Sequence, residues 1–336
     1  MGPRFLNVHG VVVSVEGCDE AVSALLVHFA AFVVGSAPGR PDVSVALRRA
    51  EPRLELGARL AADQYVQRGV VYNLGPLSVV DHHGHAISRF DHEQESGVVT
   101  APAVEDLVEL GYLMVHSRVG ILLERRGLVR VHALGFVRDG FATLVLAPPG
   151  GGKSTLALAL LRHTDAQLLS DDLVLVDRSG RAHAFPHPIG IRDPDTAADL
   201  GSIHAFPRRH HGPKWVVGLD GLLGRHAREP APIGAIAQLV RVTSPPSRVV
   251  RTSVSSMGWA LWKDAVIGAG LPQVVELLVP RGSRDLWRQA PSALRRSAAA
   301  VRLMLSAKSL RLEVHGPEEA ALAIFEASPG RRVTGG

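Results

Sequence analysis

One segment, residues 143–176, limits this chain more than any other: TLVLAPPGGGKSTLALALLRHTDAQLLSDDLVLV. An apolar strand-like run, Thr143 to Ala147, leads straight into Pro148, Pro149, Gly150, Gly151 and Gly152. That turn opens into Lys153, Ser154, Thr155 and an amphipathic helix that the spacing predicts as far as Arg162. Strand, glycine-rich loop and helix in this order form the context a phosphate-binding loop requires. Glycines let backbone N–H groups converge on phosphate oxygens where a side chain would block approach, and the helix N-terminus adds partial positive charge. Residues Pro149, Gly150, Gly151, Gly152, Lys153, Ser154 and Thr155 are therefore the expected nucleotide-binding set. Lys153 would reach the β- and γ-phosphates of ATP, and the Ser154 hydroxyl would ligate Mg²⁺. Ala147 stands where the motif G-x-x-x-x-G-K-[ST] has its first glycine; alanine is small, so the loop is expected to survive. A glycine-rich turn before an ordinary helix is the bland alternative, and Gly-Lys-Ser between strand and helix weighs against it.

Eighteen residues past Lys153 stands Ser170-Asp171-Asp172, with apolar runs on both sides. Alone it would be a polar β-turn. Behind a phosphate loop, carboxylates at a strand end are how magnesium is held, directly or through water. Adjacent carboxylates can also divide the work: Asp172 is the expected metal ligand beside Ser154, and either aspartate could take the proton of an attacking hydroxyl. His132, in RVHALGFVRDG, precedes the loop strand and is a catalytic candidate, although a lone strand histidine is more often structural. Arg192, in HPIGIR, could clamp a phosphate, the alternative being one more surface arginine.

Bulk properties bound the rest. Hydrophobic residues make up 46% and charged residues 21% of 336, which excludes disorder as the dominant state. The formal charge of +5 comes almost wholly from arginine, since lysine occurs only at positions 153, 214, 263 and 308. The arginines are dispersed without a block, so no nucleic-acid partner is expected; an acidic ligand such as a nucleotide accounts for the excess equally well. A single cysteine, Cys18, excludes an internal disulfide framework and agrees with a cytoplasmic setting. The most apolar stretch, Ala21 to Gly35, is too short to span a bilayer and carries His28, so no membrane partner is expected.

The chain reads as α/β in two parts: an N-terminal unit over residues 1–100 for docking or recruitment, and a nucleotide-binding domain over 101–336. The first part shows a strand over Val8 to Val15, a helix over Ala21 to Val34, a strand over Val43 to Leu47 and a hairpin around Asp81 to Arg89. A long helix is expected from Val104 to Arg126. Short strands follow at Gly127 to His132, Gln167 to Leu169 and Leu173 to Val176. The tail shows a strand over Ser309 to Val314 and a helix from Glu318 to Ala327, with Pro317 suited to its first turn.

The order Val131-His132, strand, Gly-x-Gly-Lys-Ser, helix and Asp171-Asp172 resembles the bacterial HPr kinase/phosphorylase fold, itself related to phosphoenolpyruvate carboxykinase. The resemblance covers roughly Arg130 to Arg192. It implies a mixed-sheet P-loop core and transfer of the γ-phosphoryl of ATP to a serine of a protein partner. His132, Lys153, Ser154, Asp171 and Asp172 then take the family's motif positions. Ala133 follows His132 where that family has glycine, and Thr155 stands where it usually has glutamate. No glycine-rich stretch follows Phe185. The chain is thus more similar to the diverged HPr-kinase-like enzymes that act on ribosomally made peptides, such as the lasso-peptide kinases that phosphorylate a precursor serine. A homo-oligomer is compatible with this resemblance.

Two further clusters have bland and functional readings. The run Asp81, His82, His83, Gly84, His85 with Asp91, His92 and Glu93 invites a metal site, but flanking strand-like residues make it a hairpin tip with solvated histidines. Arg208, Arg209, His210, His211 and Lys214 form either a solvated connector or a basic lid over phosphates, with Lys214 the preferred member. Three functional classes stay open: a peptide or protein serine kinase, a small-molecule kinase, and a nucleotide sensor that transfers nothing. A guanine-reading switch is disfavoured because the only asparagines, Asn7 and Asn73, precede the loop.

Overall fold

The computed structural model of the protein describes residues 2–37, 39–55, 62–66, 68–206, 214–261 and 283–330. Of the basic run near residue 210, Arg208, Arg209, His210 and His211 lie outside the described residues. The chain is α/β with mixed sheets and divides into two compact units. The first holds the residues up to Leu123, the second chiefly Glu124–Ile203 and the residues from Val217 on. Of the described residues, 204–206, 214–216 and 283–289 also cluster with the first. No described helix is long and apolar enough to cross a membrane.

The first unit is a mixed sheet of strands β1 (Arg4–Val8), β2 (Val11–Gly17), β3 (Val33–Val34), β4 (Val43–Arg49), β5 (Gln64–Val66), β6 (Gly69–Leu74), β7 (Leu77–Asp81), β8 (Ile87–Asp91) and β9 (Ser96–Ala101). Their spatial order is β3-β1-β2-β4-β9-β8-β7-β6-β5; β2, β4 and β9 run parallel and the other neighbours antiparallel. The single strand expected over Val8 to Val15 is in fact a tight hairpin. His9 and Gly10 both have positive φ, 48° and 87°, and Asn7 Oδ1 accepts the Gly10 N–H at 2.9 Å. Two consecutive left-handed residues make the turn whose twist suits a two-residue hairpin. The helix expected over Ala21 to Val34 is shorter: α1 covers Asp19–Val27, a 3₁₀ turn follows at Ala30–Phe32, and Val33–Val34 pairs with β1.

Helix α2 (Val104–Arg125) follows β9, and through Leu123 it belongs with the first unit rather than with the loop domain. Its packing explains why. A Cβ on Gly111 would lie 2.8 Å from a Leu47 methyl, so the missing side chain lets the helix lie directly on β4. Arg118 grips Glu95 with two nitrogens, and Glu109 accepts from Arg68 at 2.8 Å.

The histidine hairpin between β7 and β8 is only partly solvated. His82 is buried, with Nδ1 3.0 Å from the Arg68 carbonyl and Nε2 2.9 Å from Ser88 Oγ. The neutral ring with its hydrogen on Nδ1 satisfies both contacts, donating to the carbonyl and accepting from the serine hydroxyl. Among the described residues, no three His, Cys, Asp or Glu side chains converge to hold a metal.

The second unit is a mixed sheet of β10 (Val129–Val131), β11 (Leu134–Arg138), β12 (Phe141–Leu146), β13 (Gln167–Ser170), β14 (Val174–Val176), β15 (Arg181–His183), β19 (Ala231–Arg241), β20 (Arg248–Arg251) and β21 (Lys308–Val314). The intervening β16 (Ile189–Ile191), β17 (Ile203–Phe206) and β18 (Lys214–Val217) lie outside it. The order is β10-β14-β15-β19-β12-β11-β13, and β21 joins on β19 with β20 beyond it. Strands β12, β19 and β21 are parallel, so their carboxyl ends share one edge. Helix α3 (Lys153–His163) follows β12; α4 (Val254–Leu261), α5 (Ser283–Ser306) and α6 (Pro317–Ala327) complete the described helices. The core is aliphatic and includes Leu144, Leu146, Leu169, Val174 and Ile236. At its margin Glu124 Oε1 meets the fully buried Arg130 at 3.1 Å and Arg296 at 2.7 Å.

Burial pushes His82 down from 6.5 to about 4, the carbonyl contact opposing it only in part. The stability this ring contributes is present above pH 6.5, where folded and unfolded forms are both neutral. It is lost as pH falls toward 4, because the unfolded chain gains a proton that the folded one refuses; at the acid end the loss is about 3 kcal/mol. His82→Gln should therefore narrow the gap between melting temperatures at pH 7 and pH 4.5, as read by scanning calorimetry.

Candidate functional site

Strand pairing builds the site. Because β10 pairs with β14 and β11 with β13, the β10–β11 connection, carrying His132, runs beside the β13–β14 connection, carrying Asp171 and Asp172. Strand β12 pairs with β11 and delivers the glycine loop to the same place. Ser170 Oγ accepts the N–H groups of Asp172 and Leu173 at 3.4 and 3.2 Å, which fixes the turn from which both carboxylates project.

The loop is built as its glycines require. Gly150 and Gly152 have φ of 73° and 109°, a region that disfavours L side chains. Gly151 has no such φ, but a Cβ there would lie 2.8 Å from the Pro148 oxygen, and its N–H donates to that same oxygen. Ala147 is not among the positive-φ residues, so its methyl group costs the entry to the loop nothing in backbone strain. Its carbonyl instead accepts from Lys153.

Lys153 is buried at the first position of α3, with only 6% of its surface exposed. Its Nζ lies 2.8 Å from the Ala147 oxygen, 2.9 Å from His132 Nε2 and 4.0 Å from Asp172 Oδ1. His132 Nδ1 lies 3.2 Å from that same carboxylate oxygen. An ammonium has only hydrogens to give, so His132 Nε2 accepts, and the ring proton sits on Nδ1 facing Asp172. Asp172 itself is half exposed and so can meet a partner from solvent. Ser154 Oγ donates to Asp171 Oδ2 at 3.0 Å, and Asp171 is buried. The two aspartates are thus separated by environment: Asp171 inside with the serine, Asp172 outside with the histidine and lysine. The Ser154 hydroxyl and the Asp171 carboxylate lie side by side, oxygen donors of the chemistry a hard divalent cation takes.

The remaining expected residues fall elsewhere. Thr155 is exposed on α3 facing a cleft. Arg192 is exposed just past β16, and among the described residues no contact joins it to the loop. Lys214 opens β18 and clusters with the first unit. The sequence reading did not single out Arg241, the last residue of β19, whose Nη2 lies 3.5 Å from the Gly150 oxygen. The signal available was its place at the end of an apolar run, APIGAIAQLVR, long enough to lie alongside the loop strand.

Gly152→Ala should cost about 1–2 kcal/mol in urea unfolding, from its backbone angle alone, since the added methyl group meets nothing closer than Arg241 at 3.5 Å. In the comparisons with known proteins, no family model matches the chain and no curated protein matches it.

Proposed function

We propose that the protein is an ATP- and magnesium-dependent kinase that moves the γ-phosphoryl group onto a serine hydroxyl of a peptide or protein. The observation that carries this reading is the line Lys153–His132–Asp172, with Ser154–Asp171 beside it, at the mouth of a glycine loop. This arrangement fits an HPr-kinase-like core, and a ribosomally made precursor peptide is the acceptor the resemblance favours.

Each side chain has a distinct task. The loop N–H groups and Lys153 bind the phosphate chain of ATP. Ser154 and Asp171 would hold the magnesium ion, which when bound neutralises charge on the phosphate oxygens. Asp172, half exposed and oriented by His132, accepts the proton of the attacking serine hydroxyl. As the new oxygen–phosphorus bond forms, the bond from the γ-phosphorus to the bridging oxygen breaks, and ADP leaves with the electron pair. The sequence reading expected Asp172 as the metal ligand beside Ser154 and left the base open between the two aspartates. The hydrogen bond from Ser154 and the greater burial of Asp171 favour Asp171 as the metal ligand and Asp172 as the base.

Intact mass spectrometry tests the assignment. The pure protein is incubated with magnesium, ATP and serine-containing peptides encoded beside its gene. A phosphoryl mass gain mapping to serine is expected. Asp172→Asn should lower the transfer rate by about 10²–10⁴ while leaving ATP affinity within a few-fold. Asp171→Asn should instead raise the magnesium concentration needed. Transfer by Asp172→Asn at the wild-type rate would remove it as the base.

A further inference from the structure

The turn bearing the expected catalytic aspartates leaves the end of β13, which is tied to the loop strand through β11. The order runs β13-β11-β12-β19-β21, so the turn bearing Asp171 and Asp172 lies on the β11 side of β12. On the opposite flank, at the carboxyl ends of β19 and β21, an open cleft of about 200 Å³ adjoins Gly151, Gly152 and Thr155. Its other walls are Leu239, Val242, Val314 and Pro317, with Arg241 and His315 at the polar rim. Crevices at the carboxyl ends of parallel strands are where open α/β sheets take ligands. An apolar slot with a few polar groups suits a flat aromatic ring.

A phosphate chain seated on the loop has two ends. If its terminal phosphate lies beside Asp172, the rest of the molecule leaves over the other flank, toward this cleft. Arg241 stands at that crossing. It is exposed, and its guanidinium lies within 3.5 Å of both the Gly150 oxygen and the position a Gly152 Cβ would take. A planar fork there can bind two phosphate oxygens at once.

We propose that this cleft receives the base and sugar of the nucleotide and that Arg241 grips its phosphate chain where it crosses the loop. The proposal rests on the triphosphate reading of the loop. Thr155 then contacts the sugar side, and the acceptor serine approaches from the Asp172 flank without meeting the base.

Binding of ATP and of inorganic tripolyphosphate, which lacks base and sugar, separates the two ideas. Val314→Trp fills the cleft from a half-buried strand end and should weaken ATP at least roughly tenfold while leaving tripolyphosphate within about twofold. Arg241→Ala should weaken both by a similar factor. Photolabelling the unaltered protein with 8-azido-ATP should mark residues 239–242 or 314–317, a readout that needs no variant to fold. ATP affinity unchanged in Val314→Trp, or label mapping elsewhere, overturns the cleft assignment while leaving the loop reading intact. Failure of the wild-type protein to bind either compound overturns both.

Discussion

A buried ammonium ion organises the second unit of this protein. Lys153, with 6% of its surface exposed, cannot be buried as a bare charge, because the desolvation of an unpaired ammonium costs several kcal/mol. Its position is tolerable because the Ala147 carbonyl, His132 and the Asp172 carboxylate all face it within 4.0 Å. Each partner arrives on a different segment: the end of β12, the β10–β11 connection and the β13–β14 connection. The pairing of β10 with β14 and of β11 with β13 is therefore what makes the lysine affordable. The same three partners leave the lysine beside the glycine loop, where a phosphate would replace hydrogen bonds already in place rather than order a mobile chain.

Two flanks follow from this arrangement. On the β11 side, polar groups converge and Asp172 reaches solvent. On the β19 side the walls are mostly aliphatic and end in Arg241. A single ligand with a charged end and an aromatic end suits that polarity. Under the proposed kinase reading, a phosphoryl acceptor would approach from the Asp172 flank.

Local signals in the sequence carried the site, and long-range ones were invisible. Gly150 to Ser154, Asp171 and Asp172 are legible because loop chemistry needs those residue types at fixed spacing. The helices at 104–125, 153–163 and 317–327 are legible from apolar periodicity and a proline at the last one's start. The hairpin at His9-Gly10 was hidden because the residues after the turn, Val11 to Val15, are buried throughout, so Val8 to Val15 reads as one strand buried on both faces. Burial of His82 was hidden because it is set by Arg68 and Ser88, which meet it only through sheet pairing. Likewise, Arg241 gains its place from β19 lying parallel to β12, a pairing across some ninety residues that no local pattern encodes. The division of labour between Asp171 and Asp172 belongs to the same class, since adjacent residues differ only in what the fold brings to each.

Calorimetric titration with magnesium-ATP, comparing the wild-type protein with Lys153→Ala, tests the central claim most directly. Saturable binding by the wild-type protein is expected. In the variant, affinity should fall by at least roughly tenfold, the loss of one charge-assisted phosphate contact. Equal affinity in the two proteins, with the variant folded, would contradict the claim that this lysine and its loop hold a triphosphate.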